Sequence, residues 1–203
     1  MTSYNYINKA NELILLAKKY IQEKDWTLIS NKNDIRLEKK AFPNICPIDC
    51  FRATTLVSTD PEILWNYNWN ENENQIKERD PDVQYWKIIE VEQNYKVFTQ
   101  LNKMKWPLWS REIVCAKFKI KDKNEYYIIN FSIEHPEIQR KDSELKKYVR
   151  ANVHISFYGF WKENDKTRVW QISHIDPEGM IPNSVVNMYA DRLIKQLERL
   201  KNR

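Results

Sequence analysis

The chain has 203 residues, 42% of them hydrophobic and 30% charged, with 33 Lys and Arg against 28 Asp and Glu and a net charge of +5. That length suits one domain, expected to span residues 1–203 with a sizeable core, and the composition excludes a disordered chain. The charge permits contact with anionic lipid or nucleic acid and demands neither.

No run of about 18 apolar residues is present, and the first 20 residues lack a basic segment followed by an apolar one. Neither a membrane span nor a signal peptide is expected. The three cysteines, Cys46, Cys50 and Cys115, are an odd and sparse set that fits a reduced, cytoplasmic protein. The pair in CPIDC has the wrong spacing for a zinc knuckle and no second pair complements it, so no metal is expected. Gly159 and Gly179 are the only glycines. A phosphate-cradling P-loop or a dinucleotide fingerprint needs several, so both are excluded and no cofactor is expected.

In chain order, residues 3–24 predict an amphipathic helix with Ile7, Ala10, Ile14, Ala17 and Ile21 on one stripe. Strands are expected at 26–30, 34–42 and 49–58. A helix over 58–69 starts on Asp60 as cap and Pro61 at the first helical position. NENENQIKERDPD (70–82) reads as a polar loop. Strands follow at 86–92, 95–101, 112–121, 125–134, 148–161 and 167–176. A closing helix over 183–203 is capped by Asn183 or Ser184 and carries Val186, Ala190, Leu193, Leu197 and Leu200 on one face. This order predicts an α+β domain whose antiparallel sheet curls around a terminal helix.

The last hairpin can be registered by facing Trp161 with Thr167. Val153 then pairs with Ile175, Ile155 with Ser173 and Phe157 with Gln171 on an apolar face, while Asn152 pairs with Asp176 and His154 with His174 on the other. The two histidines and Asp176 offer a metal or acid–base site. No third ligand is obvious, and a solvated sheet face is the plainer reading. Cys115 reads as a small buried residue, and no nucleophile elbow is present. Aromatic residues on strands would suit a single-stranded nucleic acid, but no strand carries a dense basic stripe, so no nucleic-acid partner is expected.

Gln100, Asn130 and Gln171 interrupt apolar strands. Such amides either bond one another and the backbone in a solid core, or line a cavity and await polar groups of an apolar ligand.

WPLWSREIV, INFSIEHP, YVRANV and HIDPEGMIPNSVVN, in this order ahead of a final helix, resemble a START (StAR-related lipid transfer) domain over about residues 5–203. Within that family the chain most resembles the ceramide transfer protein and phosphatidylcholine transfer protein group, through NFSIEH and the run from Gln100 to Arg111. The resemblance implies a helix-grip fold with an internal tunnel for one lipid, either a phospholipid or a ceramide-like molecule. It places head-group contacts at Asn70, Gln100, Asn130 and Gln171, where Asn70 replaces a carboxylate and Gln171 a tyrosine. The hairpin register adds Val153 and Phe157 to the lining, and the cavity reading of the amides is thereby preferred. Arg111 and Glu112 resemble a basic–acidic pair of the family, either structural or in contact with the head group; Arg150 reads as structural.

The stretch KMKWPLWSR combines interfacial tryptophans with cations. Trp106, Leu108, Trp109, Lys103 and Lys105, with Met180 in a second loop, are expected to touch a membrane surface transiently. The expected function is that of a monomeric, non-enzymatic lipid transfer protein, cytoplasmic and peripheral at membranes. The alternative is an enzyme or a lipid or soluble-ligand sensor using the same cavity.

Overall fold

The computed structural model describes residues 3–104, 107–138, 148–179 and 183–202, with the backbone alone for residues 3, 4 and 183–189. It begins with α1 (Ser3–Gln22), β1 (Thr27–Lys32), β2 (Ile35–Lys40), β3 (Cys50–Val57), α2 (Pro61–Trp69) and α3 (Glu73–Arg79). Then come β4 (Val83–Val91), β5 (Tyr95–Asn102), β6 (Ser110–Asp122) and β7 (Glu125–Ser132). After a 3₁₀ turn at Pro136–Ile138 the chain forms β8 (Tyr148–Arg150), β9 (Asn152–Glu163), β10 (Lys166–Asp176) and α4 (Asn183–Lys201). Among the described residues the strands form one sheet in the order β1-β2-β3-β10-β9-β7-β6-β5-β4, antiparallel throughout, with β8 added in parallel on β6.

The curved sheet has a helix layer on each side, and the expected helix-grip fold is present. On the convex side α1 buries Tyr6, Ala10, Leu13, Ile14, Ala17 and Tyr20 against Phe118, Tyr127, Ile129, Phe131 and Phe157. Its buried stripe is rotated from the one expected, and Ile7 stays 45% exposed. Arg52 of β3 fastens the end of α1, donating to the carbonyl oxygens of Tyr20, Ile21 and Glu23, while its Nε donates to Glu38 at 2.7 Å. On the concave side α2 and α4 pack Leu64, Trp65, Trp69, Ala190, Leu193, Leu197 and Leu200 over Tyr126, Ile128, Tyr158, Phe160 and Val169. Asp60 accepts the Glu62 N–H and caps α2 as expected.

Two sequence expectations fail for identifiable reasons. The predicted polar loop contains α3, which buries only Ile76 and so gives no apolar period. Its signal is the capping box: Asn72 accepts the Gln75 N–H at 3.0 Å and Gln75 accepts the Asn72 N–H at 2.9 Å.

The second failure concerns the hairpin. Val153 pairs with Ile175 and Asn152 with Asp176 as expected, but His174 pairs with Ile155, Ser173 with Ser156 and Gln171 with Tyr158. A bulge at His154 inserts one extra residue and reverses the facing of β9 beyond it. Phe157 therefore lies on the convex side, 5.9 Å from the Tyr127 ring, and not in the lining with Gln171. Gly159 is required beside it: a Cβ there would lie 2.6 Å from the Trp161 ring and 2.9 Å from that of Phe157.

Because Phe157 is fully buried under α1, Phe157→Ala should lower the unfolding free energy by about 3–5 kcal/mol in urea titration. A loss below about 1 kcal/mol would mean that its ring borders open space.

Candidate functional site

Between the concave sheet face and α2–α4 lies a cavity of about 180 Å³. Phe98, Ile113, Cys115, Val153 and Ile175 form an apolar patch of its wall. Polar groups converge from several elements: Gln100 from β5, Asn130 from β7, Ser156 and Tyr158 from β9, Gln171 from β10 and Gln196 from α4. Those on strands follow the period of two that turns alternate side chains inward. A wider groove of about 810 Å³ lies on the convex face between α1 and β6–β7. It contains none of these amides, so the concave cavity is the candidate site.

The amide geometry is asymmetric. Asn130 Nδ2 donates to Ser156 Oγ at 3.2 Å, and Gln171 Nε2 donates to Tyr158 Oη at 2.7 Å and to Gln196 Oε1. Tyr158 in turn donates to Gln196 Oε1 at 2.7 Å. The outward ends, Asn130 Oδ1 and Gln171 Oε1, are buried without a partner among the described residues. Gln100 donates to Asn102 at 2.9 Å within its own strand. Of the four head-group positions expected from the resemblance, Gln100, Asn130 and Gln171 thus meet in one cavity.

Asn70 does not join them. It is exposed as the C-cap of α2, and its neighbour Glu71 turns into the cavity wall. A carboxylate is therefore present one residue later than the aligned position, and it pairs with Arg79 of α3. This pair was missed because α3 itself was missed. Arg79 Nε is buried without a partner among the described residues. Lys117 of β6 reaches the same wall and donates to the Asn68 carbonyl oxygen.

Arg111 lines the cavity and fastens two loops. Its Nε donates to the Pro177 carbonyl oxygen at 2.6 Å, one Nη to that of Glu178 at 3.0 Å and the other to that of Trp109. Glu112 faces the opposite way and is paired at 2.7 Å with Arg150, so these two residues are a structural ion pair and Glu112 is not part of the lining. Burial pushes the Cys115 thiol up to about 12, which fits an inert wall residue. In the expected membrane-contact stretch Trp109 is 47% exposed, Lys103 is exposed and Leu108 is half-buried. Lys105, Trp106 and Met180 lie outside the described residues. No described helix is long and apolar enough to cross a membrane.

What surface Lys117 retains faces the cavity. Burial pushes its pKa from 10.5 down to about 8, Glu71 opposing the shift and Arg79 adding to it. Below about pH 8 the ammonium is charged in folded and unfolded chains alike, and its full burial cost is present. As pH rises from about 8 to 10.5 the folded chain sheds the proton first, and wild type gains stability from this group. Relative to wild type, Lys117→Met should be most favoured at neutral pH and lose up to about 3 kcal/mol of that advantage across this window. Parallel urea titrations over the window check this; a pH-independent difference would contradict it.

The START domain profile matches residues 7–200. The solved structure of human StAR-related lipid transfer protein 5 superposes with a TM-score of 0.82 at 15% identity, covering 99% of this chain and 97% of that one. The human StarD13 (DLC2) lipid transfer and protein localization domain gives 0.70 at 22% identity, covering 93% of each chain. A STAR-related lipid transfer protein fragment from Xanthomonas axonopodis gives 0.70 at 16% identity, covering 88% of this chain and 98% of that one. Curated protein sequences gave no match. With a profile match spanning nearly its whole length and a sheet that grips its terminal helix, the chain belongs to the START domain family.

Proposed function

We propose that the protein is a lipid carrier whose cavity takes one lipid bearing hydroxyl or amide N–H donors, as a ceramide-like molecule does. The observation that carries this reading is the pair of buried oxygens Asn130 Oδ1 and Gln171 Oε1, which border the cavity and have no partner among the described residues. Each costs about 1–3 kcal/mol while unmatched, and a ligand donor recovers that cost. A phosphocholine head has no such donor. Glu71 supplies the carboxylate that the alignment placed at Asn70, and the Tyr158 hydroxyl stands beside Gln171, so a carboxylate, two amides and a tyrosine border one space. This favours the ceramide transfer protein group over the phosphatidylcholine carriers. Lipid transfer is named in the solved relatives, which adds support.

A second reading has its own observation. The unpartnered Nε of Arg79 and the ammonium of Lys117 face the same wall and would suit a phosphate. A phospholipid whose head also carries hydroxyls would use both sets.

No chemical step is required. Moving a sixteen-carbon chain through water costs over roughly 10 kcal/mol at about 0.8 kcal/mol per CH₂, and an apolar wall offsets that cost. The enzyme alternative rested on His154 and His174, which lie on the convex side, away from the cavity. A cavity of about 180 Å³ is smaller than the roughly 300–1,000 Å³ typical of ligand sites, so loading requires it to widen. The Arg111 bonds to the Trp109 and Pro177–Glu178 loops are the contacts that opening at a membrane would break. Trp109 and Leu108, with Lys103 beside them, would enter the interface, the tryptophan at head-group level.

Incubation with mixed liposomes, re-isolation and native mass spectrometry should show one ceramide-like lipid per chain; a phosphate-bearing lipid would select the second reading. Asn130→Leu and Gln171→Leu should each weaken capture about 5–30-fold while raising the unfolding midpoint of the empty protein. Unchanged capture in both variants would sink the reading. Trp109→Ala should slow transfer between anionic vesicles several-fold with its unfolding curve unchanged; equal transfer rates would remove Trp109 from the membrane contact.

A further inference from the structure

We propose that Cys46, His154 and Asp176 form a metal site on the convex face, with zinc as the cation that fits it best. The three come from separate places: Cys46 from the β2–β3 loop, His154 from the bulge of β9 and Asp176 from the end of β10. Their ligand atoms all lie within 4.8 Å of one another. Around a tetrahedral zinc with bonds of about 2.0–2.3 Å, ligand atoms stand roughly 3.3–3.8 Å apart, so each must move inward by no more than about an ångström.

Three further features support a built site. His154 Nε2 is buried and has no hydrogen-bond partner among the described residues, so its ring nitrogen can serve as a ligand. Cys46 is buried and its loop is pinned: the Ile45 and Cys46 N–H groups donate to the Phe42 carbonyl oxygen, and Phe42 stacks on Tyr20. His174, also buried, places its Nε2 3.1 Å from Cys46 Sγ and 3.0 Å from the Ile48 carbonyl oxygen. A carbonyl only accepts, so this nitrogen carries the hydrogen. His174 is then a positioning residue whose one Nε2–H is shared between the Ile48 carbonyl oxygen and the sulfur, while the Cys46 thiol also reaches that carbonyl at 3.4 Å; such partners outside the ligand set commonly orient a metal ligand.

The donor set of one thiolate, one imidazole and one carboxylate is borderline-soft and matches zinc better than magnesium or calcium, which prefer oxygen alone. His154 and Asp176 are half-exposed, which leaves a path for the ion and a fourth position for water or another ligand. The second thiol of CPIDC, Cys50, is fully buried in the core under α1 and does not join the cluster. The cation would instead tie the β2–β3 loop to Asp176, whose side chain also accepts the Glu178 N–H. Glu178 belongs to the loop that Arg111 holds before α4, so the site would brace that loop from the convex side.

The test uses the untagged full chain, freed of metal by chelation and re-equilibrated with zinc or cobalt alone. One zinc per chain by elemental analysis is expected, with a near-ultraviolet thiolate-to-cobalt band and tetrahedral visible absorption in the cobalt form. Cys46→Ser should abolish the thiolate band. His154→Gln should weaken zinc more than the roughly 10–100-fold that loss of a supporting partner costs, and His135→Gln should leave affinity unchanged. Zinc should raise the unfolding midpoint of wild type and not that of His154→Gln. His154 is half-exposed and its metal-free variant should unfold like metal-free wild type, so it carries the test if Cys46→Ser fails to fold. Zinc well below one per chain, a thiolate band that survives Cys46→Ser, or equal zinc affinity in His154→Gln would each overturn the proposal.

Discussion

The one extra residue at His154 decides what the rest of the molecule can do. Without the bulge, strict alternation from Val153 would turn Ile155 and Phe157 toward the cavity and Ser156 and Tyr158 away from it. With it, Val153, Ser156 and Tyr158 face inward, while Ile155 and Phe157 complete the core under α1. His154 faces outward in either register, and it lies beside His174 on the convex side as expected, where Cys46 and Asp176 meet it. A polar cavity wall and a fully buried aromatic layer both follow from one irregularity in β9.

The cavity wall is built against the usual economy of a core. Glu71, Arg79 and Lys117 are charged groups in a space screened from bulk water, and two amide oxygens stand unmatched beside them. Buried charge is tolerated where it is paired, as Glu71 is with Arg79. Unmatched acceptors are a standing cost, and natural proteins carry few of them. Glu38–Arg52 and Glu112–Arg150 show the contrast. Both are buried pairs with good geometry, each also bonded to backbone carbonyls, and they fasten the end of α1 and the β6–β8 junction and not a ligand space.

Arg111 joins two loops that are far apart in the chain. Its guanidinium holds backbone carbonyls of both the β5–β6 loop and the loop before α4. Hydrogen bonds made by a charged group contribute about 1.5–3 kcal/mol each, more than neutral ones. A clasp of this kind keeps the two loops together. On the convex side Asp176 holds the N–H of Glu178 while Arg111 holds its carbonyl, so this one residue is gripped from both faces of the sheet.

Much of the architecture is legible in the sequence, because it rests on local rules. Asp60–Pro61 starts α2 where the capping rule places it, and Ala190, Leu193, Leu197 and Leu200 face the sheet from α4 as their spacing requires. Gln100, Asn130 and Gln171 stand out as polar residues in apolar strands, and all three reach the cavity. α3 was hidden because a short helix with one buried residue has no period, although Asn72 and Gln75 wrote its cap. What tertiary structure alone decided is the facing of β9, the replacement of Asn70 by Glu71 in the cavity wall, and the meeting of Cys46 with His154 and Asp176. Facing depends on the register of the partner strand, which a bulge changes without altering composition. The other two depend on loops that bring together residues far apart in the chain, and no local pattern encodes that closure.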